Sequence, residues 1–255
     1  MENEADMGQN AKWREFISSN NVKENRFLLT YPLIIFLSFF PTLAFASVFF
    51  IYFAHLFHPF ILIIILPLLI LLYYLIFILI LFIICKLFLT LLNLVHRPKE
   101  GIFELSLKDR DYFFFCFRKA IKMLALEISN YFPLPWIKVL ALKLSNITVS
   151  TNTALLDSYI DTEFIELGED TILGEGSIIM SSMIIKNYLI VKKVIIKERC
   201  TIGAYSVVTP GTILENNTIL GGGSYTKINQ HLEEGWVYIG RPARKLTPLD
   251  TLKQK

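Results

Sequence analysis

The chain has 255 residues, of which 54% are hydrophobic, and its mean hydropathy of +0.51 is too high for a soluble domain of this size. A formal charge of +3 is too small for the dense basic surface with which nucleic-acid-binding proteins neutralise phosphates, so no nucleic-acid partner is expected. The cysteines, Cys85, Cys116 and Cys200, are odd in number and lack metal-ligand spacing, so neither a disulfide framework nor a metal site is expected.

Residues 1–26 form a polar N-terminal segment with Lys12, Arg14, Lys23 and Arg26. The next 59 residues, 27–85, contain no Lys, Arg, Asp or Glu, and the apolar character continues past Lys86 to Val95. A bilayer core takes about twenty apolar residues per helix, so this run crosses a membrane more than once. The stretch Ala54-His55-Leu56-Phe57-His58-Pro59 is its polar interruption, and Pro59 suits the first turn of a new helix. Transmembrane helices are therefore expected at about 28–53 and 60–94, with Pro41 and Pro67 inside them. Basic residues flank the run on both sides, Lys86, Arg97 and Lys99 at its far end, and the intervening loop has none. The positive-inside rule then makes the number of spans even, against a competing count of three, and places both termini in the cytoplasm. A cleaved signal peptide is not expected, because the run is too long and starts too late. The second span exceeds what a bilayer needs, so either Lys86 snorkels or the helix continues into the cytoplasm.

Residues 96–145 read as a juxtamembrane amphipathic linker. Asp109-Arg110-Asp111 precedes Tyr112, Phe113, Phe114, Phe115, Phe117, Ile121, Met123, Leu124 and Leu126, with Arg118, Lys119 and Lys122 interleaved. Such a helix either lies in the headgroup layer with its basic residues on anionic lipid or packs against the base of the domain that follows. Pro133 and Pro135 break it, and Trp136 suits an interfacial anchor.

A six-residue period follows. Aliphatic residues recur at Leu167, Leu173 and Ile179, then at Ile196, Ile202, Val208, Leu214 and Leu220. Four residues after each comes a small or compact one: Thr171, Ser177 and Met183, then Cys200, Ser206, Thr212, Thr218 and Ser224. Neither an α-helix nor an alternating strand repeats every six residues. A coil with three flat faces and about eighteen residues per turn does, its aliphatics pointing into a prism and its strands stacking in parallel. The register runs back weakly through Leu155 and Val149, with Asp161 a poor match, which places the first coil near Asn146 and the repeat over residues 146–246, with a tail at 247–255. Between Met183 and Val194 the register fails.

This region resembles the hexapeptide-repeat acyltransferases. The resemblance is carried by Ile196-Lys197-Glu198-Arg199-Cys200-Thr201-Ile202-Gly203-Ala204-Tyr205-Ser206-Val207-Val208-Thr209-Pro210-Gly211, by Gly221-Gly222-Gly223-Ser224 and by the exit Gly240-Arg241-Pro242-Ala243-Arg244. Two spans, then a Pro-, Trp- and aromatic-containing link, then the repeat, is similar to the C-terminal transferase region of proteins like ε-poly-lysine synthetase. The resemblance implies a membrane-anchored all-β fold: a left-handed parallel β-helix preceded by two transmembrane α-helices and an interfacial helical linker. It also implies a homotrimer, with acyl-CoA as co-substrate or a phosphopantetheine arm of a carrier protein in the groove between neighbouring prisms. Gly203, Ala204, Gly221, Gly222 and Gly223 would open the corners to the donor, and Arg241 and Arg244 would meet its phosphates. The expected activity is acyl transfer to an amine or hydroxyl of a small-molecule or lipid-linked acceptor at the bilayer.

The family extrudes a loop with a catalytic His; here residues 181–193 contain none, and Ser182 stands near its place. His231, oriented by Glu233 or Glu234, is the candidate base, with Lys186 and Asn187 of the loop as its companions. One His in the domain is too few for the three-histidine zinc site of carbonic anhydrases on this fold. A catalytically inactive trimeric scaffold is the alternative reading. Burial of Ile184, Ile185, Tyr188 and Leu189 would favour it, whereas convergence of Lys186, Asn187 and His231 on one cleft would favour catalysis.

Overall fold

A computed structural model describes residues 25–252 apart from residues 57, 133–135 and 151. The charges read at Lys12, Arg14 and Lys23 and the break read at Pro133 and Pro135 lie outside the described residues.

The apolar run folds as α1 (Thr30–Leu56) and α2 (Pro59–Val95), with Pro59 at the first position of α2 and His58 as its N-cap. Both are long and apolar enough to cross a membrane, and only 17% and 28% of their most apolar windows are buried, far less than in helices that form a soluble core. Helix α2, about 55 Å long at about 1.5 Å per residue, exceeds the roughly 30 Å of a hydrocarbon core. Its excess has a use. Buried side chains gather in its second half at Ile78, Leu81, Phe82, Cys85 and Leu89. Lys86 Nζ donates to Asn146 Oδ1 at 2.7 Å and to the Leu144 carbonyl at 3.2 Å, so α2 continues past its most exposed part into a docking surface.

That surface is made by α3 (Arg110–Asn130) and α4 (Trp136–Leu144). The Asp109 carboxylate caps α3, accepting from the Asp111 amide at 2.8 Å. Tyr112, Phe115, Cys116, Arg118, Ile121, Lys122, Leu124 and Ala125 are all buried. Ile121, Leu124 and Ala125 join a single core with Ile34 and Leu81 below and Leu167, Leu173 and Ile196 above. This corrects the interfacial reading of the linker. Arg118 and Lys122, expected on anionic lipid, are 2% and 3% exposed and face the repeat, where Glu163 meets them.

The repeat is a three-faced parallel β-helix. One face stacks β2 (Thr148–Val149), β5 (Ile165–Leu167), β10 (Val194–Ile196), β13 (Ile213–Leu214) and β15 (His231–Leu232). The second stacks β3 (Ala154–Leu155), β6 (Ile172–Leu173), β11 (Thr201–Ile202), β14 (Ile219–Leu220) and β16 (Trp236–Gly240), and β17 (Ala243–Pro248) closes it antiparallel. The third stacks β4 (Tyr159–Ile160), β7 (Ile178–Ile179) and β12 (Val207–Val208). Leu167, Leu173, Ile179, Ile196, Ile202, Val208, Leu214 and Leu220 are at most 2% exposed and fill the prism. Thr171, Ser177, Cys200, Ser206, Thr212, Thr218 and Ser224 are buried at the corners.

Two positions depart from the expected register. Ile160, not Asp161, fills the prism and pairs with Ile179, because an extra residue enters the corner that holds Asp161, Thr162, Glu163 and Phe164, the last at φ +52°. Met183 lies in an extruded hairpin, β8 (Ser182–Ile185) and β9 (Tyr188–Val191), rather than at a corner. A segment before α3, β1 (Gly101–Glu104), adds to β9 as an antiparallel edge strand. Leu189 and Val191 of the hairpin bury against Tyr112, Phe115 and Cys116 of α3.

Candidate functional site

One corner of the prism gathers most of the residues expected to meet an acyl donor. Its column is defined by parallel-strand hydrogen bonds: the amides of Leu156, Gly174, Gly203 and Gly221 donate to the carbonyls of Leu173, Ile202, Leu220 and Tyr238, at 3.3, 2.8, 2.7 and 2.8 Å. A Cβ on Gly174 would stand 2.6 Å from the Ala204 nitrogen, and one on Gly203 would stand 2.3 Å from the Gly222 nitrogen. Those glycines are required by the approach of one coil to the next. Gly223, at φ +66°, is required by its backbone. Gly222 is different. Its nearest neighbour would be the Ala204 carbonyl at an ordinary 3.4 Å, and the residue is exposed, so nothing in the stacking demands a glycine there.

Arg241 closes the top of this corner, its Nε donating to the Gly223 carbonyl at 2.6 Å. That contact uses one of five guanidinium donors. Arg244 is exposed on β17 and pairs across to Ile239, the residue above Gly221 in the column. Gly203, Ala204, Gly221, Gly222, Gly223 and Arg241 thus share one ledge, with Arg244 at its upper rim. At its foot Leu156 occupies the place that glycines hold above, and there Trp136, Val139 and Leu140 of α4 and Leu155 and Leu156 line an apolar groove of about 630 Å³. With about 4.8 Å between coils, the groove starts about 14 Å below Gly221.

The candidate catalytic residues do not form one cluster within the chain. His231 lies on the first face, 57% exposed at its side chain, and its Nε2 is 2.8 Å from Glu215 Oε1. Lys197 holds the other oxygen of Glu215. Glu215, and not Glu233 or Glu234, therefore orients His231. Glu233 pairs instead with Lys245. The Lys197 hydrogen bond first, and the His231 hydrogen bond second, hold the Glu215 carboxyl below its ordinary value. Lys186, at φ +53°, and Asn187 form the tip of the β8–β9 hairpin, where the Asn187 carbonyl accepts from the Leu105 amide at 2.9 Å. Four-residue arms at about 3.3 Å per residue set this tip roughly 10–13 Å from the hairpin base. The base faces the last coil, as Lys192 Nζ donates to Asn229 Oδ1 at 2.9 Å.

At the hairpin base Ser182 donates to the carboxylate of Asp161, which also accepts from the Ser182 amide at 3.0 Å and the Thr162 amide at 2.8 Å. Asp161 is 2% exposed. Beside it lies a buried ion cluster. Glu163 Oε1 accepts from Arg118 Nε at 2.7 Å and from Lys122 Nζ at 3.2 Å, Lys122 also donates to the Thr162 carbonyl at 2.8 Å, and Arg118 reaches the His96 carbonyl at 3.2 Å. Burial pushes the Lys122 ammonium below its ordinary range, against the opposing pull of Glu163. Cys200 is buried inside the prism, and burial raises its thiol to about 11, so it is an unreactive packing residue. Sequence reasoning missed Asp161, Glu163 and Glu215; the off-pattern residue in the hexad column was the one signal for the first two.

No family model matches the chain, and no curated protein matches it. Among solved structures, it is similar to a variant of AntD, an N-acyltransferase from Bacillus cereus in complex with dTDP-4-amino-4,6-dideoxyglucose and coenzyme A: 20% identity, 42% of this chain and 68% of that one, TM-score 0.37. It is similar to a maltose O-acetyltransferase from Clostridium difficile 630 with 14% identity over 51% of this chain and 86% of that one, TM-score 0.44. A galactoside acetyltransferase in complex with coenzyme A matches with 13% identity over 53% of this chain and 82% of that one, TM-score 0.44.

Proposed function

We propose that the protein is a membrane-anchored acyltransferase that moves an acyl group from coenzyme A, or from a phosphopantetheine arm, to an amine or hydroxyl of an acceptor at the membrane. The observation that carries this reading is the bare ledge at Gly222, capped by Arg241 and standing in one column above an apolar groove at Leu156. A pantetheine arm laid along the column would pass the bare main chain at Gly222, flanked by the exposed side chains of Ile239 above Gly221 and Tyr205 beside Gly176. Its phosphates would meet Arg241 and Arg244, and a hydrocarbon acyl chain would end in the groove beside Trp136.

The acceptor nitrogen or oxygen attacks the thioester carbonyl, its proton passes to a base, and the thiolate leaves. His231 with Glu215 is the base this reading assigns, with Lys186 and Asn187 contributed across an interface. A homotrimer is supported by the outward side of the third face, where Tyr159, Ile178, Val207 and Tyr225 make an apolar strip with both tyrosines 40% exposed. The apolar exteriors of α1 and α2 support an integral membrane protein; this reading puts the β-helix on the cytoplasmic side, on the flanking Lys and Arg alone, and there tethering raises the effective concentration of a lipid-linked acceptor.

A second reading, a trimeric scaffold without catalysis, is favoured by Leu189, which buries with Val191 against α3, although Tyr188 stays 48% exposed and Ile184 and Ile185 are only half-buried. The two readings part on thiol release. The full chain, reconstituted with membrane lipid extract, is expected to release free coenzyme A from acyl-CoA only when extract is present. Leu156→Trp is expected to slow a long-chain donor about tenfold or more while sparing acetyl-CoA. No acceptor-dependent release from either donor would leave the scaffold.

A further inference from the structure

A cavity of about 300 Å³ opens where the end of α2, the linker and the first two coils meet. Its wall includes Asn93 of α2, Lys122 of α3, Ser145, Glu163 and Phe164, with Glu100, Glu166 and Lys193 also lining it. Glu166 pairs with Lys193 at 2.7 Å, and Glu100 accepts from the Lys193 amide at 2.9 Å, so those charges are already tied to one another. The interior is not. Glu163 is 3% exposed, and the oxygen not taken by Arg118 and Lys122, Oε2, has no hydrogen-bond partner among the described residues. Asn93 Oδ1 is a second buried oxygen of the same wall with no partner among the described residues. Lys122 spends two of its three N–H groups on Thr162 and Glu163.

We propose that this cavity binds a neutral, polyhydroxylated group, the sugar or polyol of a free saccharide or of a glycolipid headgroup. The chemistry follows by elimination. An anion meets Glu100, Glu163 and Glu166; a cation meets Lys122 and Lys193 with Arg118 behind; an apolar ligand leaves two buried oxygens unpaired. Adjacent hydroxyls satisfy all three demands. They donate to Glu163 Oε2 and Asn93 Oδ1 and accept from the remaining N–H of Lys122. A volume near 300 Å³ is at the lower end of ligand pockets and fits one sugar ring. The site stands apart from the glycine ledge and does not depend on acyl transfer.

The test uses the full chain in phosphatidylcholine nanodiscs, free of glycosidic detergent, and saturation-transfer NMR with methyl β-glucopyranoside and myo-inositol. Transfer to at least one probe is expected. In Asn93→Leu, which removes a buried oxygen that bonds to nothing, affinity is expected to fall about tenfold while the melting temperature holds or rises. Displacement of the probe by glucosyl diacylglycerol in the nanodisc assigns the site to a lipid headgroup; persistence of the signal assigns it to a free sugar. Absence of transfer to both probes together with no effect of the glycolipid on melting, or equal binding by Asn93→Leu, would overturn the proposal.

Discussion

Single residues decide what the ledge is. Gly203 lies beneath the Gly221–Gly222 peptide of the next coil, and a methyl group on Gly203 would press into that backbone, while one on Gly222 would touch only the Ala204 carbonyl at 3.4 Å. Gly203→Ala is therefore expected to destabilise by about 1–3 kcal/mol, and Gly222→Ala to stay within about 0.5 kcal/mol of zero. Chemical denaturation of both variants checks the pair; a large loss at Gly222 would mean that its bareness serves the fold. The same scale explains one misreading of the sequence. Glu233 and Glu234 follow His231 closely in the chain, but β15 ends at Leu232, so both lie beyond the strand, where Glu233 turns to Lys245. The partner of an outward residue comes from the coil below: Ile213 lies directly under His231, and Glu215, sixteen residues back, reaches its ring from just beyond β13.

At the scale of elements, the hexad made the prism legible because its two inward positions per six residues are fixed by the geometry of a three-faced coil. Leu167, Leu173, Ile179 and their successors fill it as that period requires. The helix α3 was legible as a helix but not as a buried one. An aromatic stripe with interleaved bases looks alike whether lipid or protein covers it, and the deciding partner, Glu163, lies about 40 residues on at an irregular corner. Removing that partner leaves Arg118 and Lys122 buried and uncompensated. Glu163→Ala is expected to cost about 3–5 kcal/mol, against less than about 1 kcal/mol for Lys119→Ala on the same helix. Equal losses would mean that α3 is not docked through these charges. The hairpin was visible only as lost register, since its pairing with β1 joins segments about 90 residues apart.

On the scale of the whole molecule, one core runs from Ile34 and Leu81 of the apolar helices through Ile121 of α3 to Leu232 in the last coil. The helices and the β-helix are thus packed together, which gives the ledge a fixed orientation to any membrane that α1 and α2 cross. A rigid anchor suits an enzyme whose acceptor is held in the bilayer, because it removes rotational freedom that a flexible tether leaves. The account stands or falls on whether a donor lies along the ledge. The most direct measurement is calorimetric titration of coenzyme A and of phosphopantetheine into the full chain, its Gly222→Leu variant and its Arg241→Ala, Arg244→Ala double variant. The account predicts binding by the wild type, weakened at least about tenfold by Gly222→Leu at unchanged stability, with the arginine pair mattering more for coenzyme A than for the shorter arm. Binding of neither compound, or equal affinity in Gly222→Leu, would contradict it.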